Sequence, residues 1–410
     1  CDLIIVDPCA ENNPKIVTVV LHVFEEGKLY VPSEYPTIQA AVDAAEPCDV
    51  VIVADGIYNG IGNRDIKLRG KAITVRSSNG PENCIIHCAD TTNLCGGLDI
   101  FSDQGSDPVV DGFTIINANS SAIVCGGEGY PYGGLGSSPT ISNCIITGNT
   151  SPWAGAGIFC GEGSSPAIIN CVIKNNSAIS GWDVIGGGGI YCEYANVIIT
   201  DCVIQENLTN EWGSGGGIHI RSSTVTVRNC LIANNACMGE EYNNGGGIHC
   251  RYSDVTIANS TIVGNSARGN GGGVLCYSSD VEITNSIVRD NRARNGSELA
   301  IGSRGGEWWP YDDYSSVLTV SYSDVWGGED AVYFDRGEPG PFTPGPGPRP
   351  GTLEWGEGNM DINPLFVDTG KGNYHLRFGS ACVDAGTNSP EGGLGLVDLD
   401  GNARVIDGDS

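Results

Sequence analysis

The sequence predicts an all-β chain wound as a right-handed parallel β-helix, a solenoid with a short N-terminal cap helix. Three observations predict it: a Gly-rich hexapeptide that recurs, an Asn-Cys/Ser segment that alternates with it, and no apolar i, i+3, i+4 pattern anywhere in 105–325. The 410 residues could build several ordinary domains or one long stack of coils. Gly supplies 61 of them, far above the usual share of roughly 7%.

The first element reads Gly-Gly-Gly-Ile-x-Cys. It stands at Gly155 to Cys160 (with Ala at its second place), Gly187 to Cys192, Gly215 to Ile220, Gly245 to Cys250 and Gly271 to Cys276, with a fainter copy at Ala122 to Cys125. The second runs through alternating apolar residues into Asn-Cys/Ser-x-Ile-x-x-Asn. Its copies are Thr140 to Asn149, Ala167 to Asn176, Val197 to Asn207, Val225 to Asn235, Val255 to Asn265 and Val281 to Asn291. The Cys/Ser place falls at 144, 171, 202, 230, 260 and 286, a varying period that fits coils with linkers of different length. Period-2 alternation marks short strands, and Asn and Gly mark corners because both tolerate a left-handed backbone. Such a unit cannot bury its apolar face alone; it has to stack on copies of itself.

Stacking predicts three columns. Ile158, Ile190, Ile218, Ile248 and Val274 form an inward aliphatic file. Cys144, Cys171, Cys202, Cys230, Ser260 and Ser286 form an inward file of small residues, read as packing or, for some pairs, as disulfides between coils about 4.8 Å apart. Asn149, Asn176, Asn207, Asn235, Asn265 and Asn291 occupy one corner, where amides can hydrogen-bond along the column.

Charge and cysteine content narrow the setting. The net charge of −28 repels nucleic acid phosphates. Seventeen cysteines suggest an oxidising compartment, and their odd number leaves one without an internal partner. No apolar run approaches the roughly 18 residues of a membrane span. Cys1 opens the chain and could be a lipidated N-terminus.

Towards the N-terminus, Lys28 to Val31 reads as a strand and the segment from Thr37 as a short helix. Thr37 is its N-cap and Ile38, Ala41, Val42 and Ala45 are its apolar face. With the strand Asp49 to Ala54, Asp55-Gly56 and Ile57-Tyr58, this block resembles the N-terminal cap of bacterial pectin-lyase-like right-handed parallel β-helix proteins. Asp361 to Asp368, Asn373 to Leu376, Gly379 to Gly386 and Asp398 to Asn402 resemble the tail of the secreted or surface members, which often precedes an anchoring element. The Gly-Gly-Gly-Ile and Asn-Cys repeats are also similar to those of bacterial outer-surface polymorphic β-helix proteins. The resemblance implies the fold over about 28–410; the fold itself hosts lyases, hydrolases, esterases, adhesins and structural proteins.

Four segments follow: a strand extension over 1–27, the capped β-helix over 28–325, a Pro/Gly-rich excursion over 326–358 and a tail over 359–410. The stretch Lys15 to Phe24 reads as a strand the cap does not need, while family tails usually add one more strand where this chain stops at Ser410. The two ends could complement each other between molecules and make a head-to-tail homopolymer, or the N-terminal strand could fold back on its own first coil.

Chemistry, if present, belongs on the outward positions of the Gly-Gly-Gly-Ile strands. These are Phe159, Tyr191, Glu193, His219, Arg221, His249, Arg251 and Tyr277. His219, Arg221, His249 and Arg251 would form a basic patch on an acidic protein, suited to a polysaccharide carboxylate, with the aromatics against sugar rings. A lyase could use Arg or His there as base; the plain alternative is a ladder of stacked side chains. Asp398, Asp400 and Asn402 could offer oxygens to Ca²⁺, or form a hydrogen-bonded turn. No other cofactor is expected. Sequons stand at Asn119, Asn149, Asn175, Asn207, Asn259 and Asn295. Without paired catalytic carboxylates or a nucleophile motif, the leading expectation is a non-catalytic structural or adhesive solenoid outside a bacterial cell. A polysaccharide lyase or hydrolase, and a glycan-binding module, are the alternatives.

Overall fold

A computed structural model describes residues 2–5, 15–18, 27–89, 93–101, 107–126, 136–179, 186–210, 213–239, 244–302, 315–335, 351–390 and 398–402. Residues 2–5 and 15–18 are described by their backbone alone. The chain winds as a parallel solenoid whose strands stack into four long walls of twelve, ten, ten and five strands. One coil shows the plan. Ala167–Ile169 lies in wall 1, Val172–Lys174 in wall 2, the short Ser177–Ala178 in wall 3 and Ile190–Glu193 in wall 4. Asn196–Thr200 then returns to wall 1, directly above Ala167–Ile169. The period varies mainly because the link from wall 3 to wall 4 varies, from Ala178–Ile190 in one coil to Ala267–Val274 in another.

The corners are left-handed. Between walls 1 and 2 stand Asn143, Asn170, Asp201, Asn229, Asn259 and Asn285, all at φ between 50° and 56°. Side chains short enough to bond locally lower the steric penalty of that backbone. Between walls 2 and 3 the residue just before each column asparagine turns the chain, as Asn175 (φ 53°) and Asn234 (φ 54°) do. Corner and column asparagines are therefore different positions with different work.

All three predicted columns form. Ile158, Ile190, Ile218, Ile248 and Val274 stand in register and are at most 1% exposed. The asparagine column is buried throughout and polarised. The Nδ2 of Asn176 donates to Oδ1 of Asn207 (3.0 Å), Asn207 to Asn235 (3.0 Å) and Asn235 to Asn265 (2.9 Å). Each main-chain N–H donates to the same Oδ1, as from Asn176 to Asn207 at 3.0 Å. Each Nδ2 also donates to a carbonyl of the coil behind, such as Ile173 O at 2.9 Å from Asn207. Every buried polar atom of the side chain is thereby used.

The cysteine file answers the disulfide expectation with a correction. All fifteen described cysteines are free, thirteen of them buried; Cys1 and Cys9 lie outside the described residues. The physical reason is that a thiol here stands in for a hydroxyl. Cys202 Sγ donates to Thr200 O (3.1 Å) and accepts from Cys171 N (3.4 Å), while Ser260 Oγ donates to Ala258 O (2.9 Å) and accepts from Cys230 N (3.2 Å). The cysteines of this file therefore serve corner hydrogen bonding and packing.

The ends differ. The cap helix, Ile38–Ala44, begins at Thr37, whose hydroxyl accepts from Ala40 N at 3.2 Å, and buries Ile38, Ala41 and Val42. Lys15–Thr18 pairs antiparallel with Asp2–Ile5, so this strand has a local partner within the N-terminal segment. At the other end the solenoid runs past 325, contrary to the expectation of a loop excursion. Tyr333–Asp335 extends wall 4 and Thr352–Trp355 extends wall 1; the intervening 336–350 lie outside the described residues. The tail then turns back along the outer side of wall 2. Arg289, paired with Asp324 of wall 2, holds it by bonds to Asp361 and the Ile362 carbonyl, and Asn285 pairs with both the N–H (2.8 Å) and the carbonyl (2.7 Å) of Thr387.

Candidate functional site

Wall 4 carries the predicted site. Its strands alternate inward Ile and Cys with outward residues, and in-register stacking makes two outward columns. One holds Phe159, Tyr191, His219, His249 and Leu275; the other Glu193, Arg221, Arg251 and Tyr277. All eight residues singled out from the sequence share this face.

Their exposure differs from what alternation alone suggests. Tyr191, His219 and His249 are 0%, 3% and 6% exposed, so the expected open basic patch has no accessible imidazole. One wall of each slot is the glycine turn that opens the strand. Gly215 (φ 66°) and Gly245 (φ 68°) lie so close beneath the side chain four residues on that an added β-carbon would stand 2.8 Å from His219 Cβ and 2.6 Å from His249 Cβ. Outward from the core therefore does not mean outward to solvent. The signal was legible as a Gly four residues ahead of each such side chain.

The rings form a stack along the rod. Centroids are 5.5 Å apart for Phe159 and Tyr191, 5.2 Å for Tyr191 and His219 in an edge-to-face arrangement, and 4.7 Å for the stacked His219 and His249. Burial holds the His249 imidazolium well below the ordinary range, helped by His219 and Arg251 beside it, so this ring is neutral. Its Nδ1 has no hydrogen-bond partner. In the second column Arg221 donates to Glu193 Oε1 at 3.0 Å, and the Arg251 guanidinium lies 5.1 Å from the Tyr252 ring centre. Phe159, Glu193, Arg221, Arg251 and Tyr277 are half-buried.

Two features escaped sequence reasoning. Tyr194 and Tyr252 sit at the corner after wall 4 with φ of 53° and 52°, backbone that bulky side chains rarely adopt, and Tyr194 is 52% exposed. At the next position Ser223, Ser253 and Ser279 repeat the Cys/Ser device, as where Ser223 Oγ accepts from Ala195 N at 3.0 Å.

The outlying candidates resolve locally. Asp398 Oδ1 accepts from the N–H groups of Asp400 (2.9 Å) and Asn402 (2.8 Å), and Asp400 bonds His375 Nε2 (2.5 Å), the arrangement of a hydrogen-bonded turn. Among the described residues no three or more His, Cys, Asp or Glu side chains group as a metal site. Among the sequons, Asn149 and Asn207 are 0% and 1% exposed inside the amide column, where the folded chain has no room for a glycan; this corrects both. Asn175 is exposed, and Asn119, Asn259 and Asn295 are half-buried.

Parallel coils with aliphatic and amide columns define the class: a right-handed parallel β-helix. The family model described as "Right handed beta helix region" matches residues 48–207 and 180–307, and the chain belongs to that family. No curated protein matches the chain. Among solved structures, pectate lyase Pel9A is similar at 14% identity and a TM-score of 0.46, over 89% of this chain and 90% of that one. The A-module of Azotobacter vinelandii mannuronan C-5 epimerase AlgE4 is similar at 12% identity and 0.42, over 80% and 92%. A PL6 alginate lyase in complex with a trisaccharide is similar at 11% and 0.42, over 94% and 97%. At these identities no residue role passes from them to this chain. Among the described residues no helix is long and apolar enough to cross a membrane.

Proposed function

We propose that this chain is a non-catalytic β-solenoid acting outside a bacterial cell as a rigid structural or adhesive rod. The observation that carries the reading is the packing of wall 4. Where a catalyst would need an accessible base, His219 and His249 are stacked and buried, and Arg221 is bonded to Glu193. A buried neutral imidazole cannot reach a substrate proton, which requires hydrogen-bond contact. The net charge of −28 also disfavours a polyanionic substrate. The extracellular setting is supported by this acidic surface and by the cap and tail that resemble those of surface proteins. Calcium at the Asp398 turn would have to displace the turn's own hydrogen bonds and forms no part of the reading.

The test is an assay of the purified chain on a panel of uronate polysaccharides with and without Ca²⁺. No product is expected; product formation that Arg221→Ala abolishes would overturn the proposal. The finer version, a head-to-tail filament, predicts rods of many chain lengths under negative stain, and monodisperse monomers would remove it.

A second reading, glycan binding without turnover, is favoured by the strained, exposed Tyr194 and by Tyr252 beside Arg251. It predicts retention on a polysaccharide matrix, lost in the double substitution Tyr194→Ala with Tyr252→Ala.

A further inference from the structure

The amide column has a direction, and its C-terminal end needs a terminator. Every Nδ2 and main-chain N–H in it points to the oxygen of the next coil, from Ala118 N, which donates to Asn149 Oδ1 at 2.9 Å, through to Asn265, whose Nδ2 donates to Asn291 Oδ1 at 3.0 Å. Another asparagine after Asn291 would again present an Nδ2 in need of an acceptor. The chain instead places Glu298 there. Asn291 Nδ2 donates to its Oε2 at 2.5 Å and Asn291 N at 3.4 Å. Glu298 is 4% exposed, and its Oε1 is buried without a hydrogen-bond partner.

We propose that Glu298 is a proton-operated latch that closes the last coils of the rod when its carboxyl is neutral and loosens them when it is ionised. Neutral, the carboxyl offers Oε2 as the final acceptor of the column and carries its proton away from the amides. Ionised, it becomes a charge in the interior with one oxygen unbonded, and the Asn291 hydrogen bonds and Arg289 offset only part of the cost of burying it. The charged groups that bear on it are Asp290 and Arg289, both from the neighbouring segment that ends the wall 2 strand Ile287–Arg289. Asp290 opposes ionisation and Arg289 favours it. Among the described residues Glu298 also meets Asn291, whose two hydrogen bonds favour ionisation, and Val274, whose N–H donates to the Glu298 carbonyl at 2.9 Å. Burial, the largest influence, raises the carboxyl from 4.5 to about 8.

The sign follows by linkage. Between 4.5 and about 8 the folded chain holds a proton that the unfolded chain has released. The stabilisation is complete below that window and declines as pH rises through it, by up to about tenfold per pH unit in the local opening constant.

The experiment is hydrogen exchange on the full chain from pH 5 to 9. It follows the amides of Asn291 and Leu299–Gly302 against mid-rod amides of Asn207 and Ile218–Arg221, so that the intrinsic pH dependence of exchange cancels. Protection of the terminal coil relative to mid-rod should fall with rising pH and level off above about 8. In Glu298→Gln, which keeps an acceptor and cannot ionise, the ratio should be flat. A flat ratio in the unaltered chain, or a slope that persists in Glu298→Gln, overturns the proposal. Should the variant fail to fold, infrared titration of the unaltered protein carrying ¹³C-labelled glutamate decides: a buried carboxyl band that disappears near pH 8 supports the latch, and titration of every carboxyl in the ordinary acid range overturns it.

Discussion

The asparagine column and the outward column of wall 4 run along the same coils, and both are buried apart from the half-buried Phe159, yet one repeats a single residue and the other does not. Asn recurs six times because each amide must present the same donor and acceptor to identical neighbours. The wall 4 file passes from Phe159 through Tyr191, His219 and His249 to Leu275, because a slot over a glycine turn asks only for a shape. Repetition of a polar residue therefore marks a hydrogen-bond requirement, and variation at a buried position marks packing.

The largest effect should come from breaking the repeating side. Asn207→Leu removes the acceptor for the N–H and Nδ2 of Asn176 and the donor to Ile173 O. At about 1–3 kcal/mol for each of these orphaned buried groups, a loss of about 3–9 kcal/mol is expected in denaturant unfolding. An effect below 1 kcal/mol would mean that the column is not a requirement. Ile218→Ala, in the aliphatic file beside it, opens a cavity in a place shared with Ile190 and Ile248 and should cost about 2–5 kcal/mol.

A finer test separates chemistry from shape at the thiol file. Cys202→Ser keeps both bonds and should change stability by less than about 1 kcal/mol, whereas Cys202→Ala leaves Cys171 N–H without its acceptor and should cost about 1–3 kcal/mol. If the two substitutions behave alike, the file is packing alone.

A small effect at neutral pH is also expected at His249. Replacing it by Leu, the residue type one coil further on, should alter neutral-pH stability by less than about 1.5 kcal/mol. The pH response should change in a defined direction. Because the folded His249 is held neutral below its ordinary 6.5, its contribution is complete above that pH and is lost as pH falls, by up to about 1.4 kcal/mol per pH unit. His249→Leu should remove this acid limb, as read by thermal unfolding between pH 4 and 7. Glu298 acts with the opposite sign, so the two substitutions should flatten opposite arms of the profile.

Recurrence made much of this molecule readable in advance. The Cys/Ser, Ile and Asn files, the corner residues and the cap helix with Thr37 at its start could be read because each rung restates the same local demand, and stacking turns sequence spacing into spatial register. The site residues were placed on one face for the same reason, since period-2 alternation assigns every residue of a strand to a side. Alternation does not say what lies over that side, and so an open basic patch and a ladder of stacked side chains both stood as readings of His219 and His249.

By itself, then, the sequence determined the coil, its register and which residues share a column, because these follow from local geometry repeated about every thirty residues. Only the tertiary structure decided three things: that the cysteines of the corner file act as hydroxyl equivalents, that the imidazoles are enclosed, and that a single carboxyl at Glu298 ends the amide column. The thiol bonds and the ring stack depend on atoms brought in from another coil, and the Glu298 contact on a side chain that folds back across a turn to Asn291; a pattern written along one strand contains none of these partners.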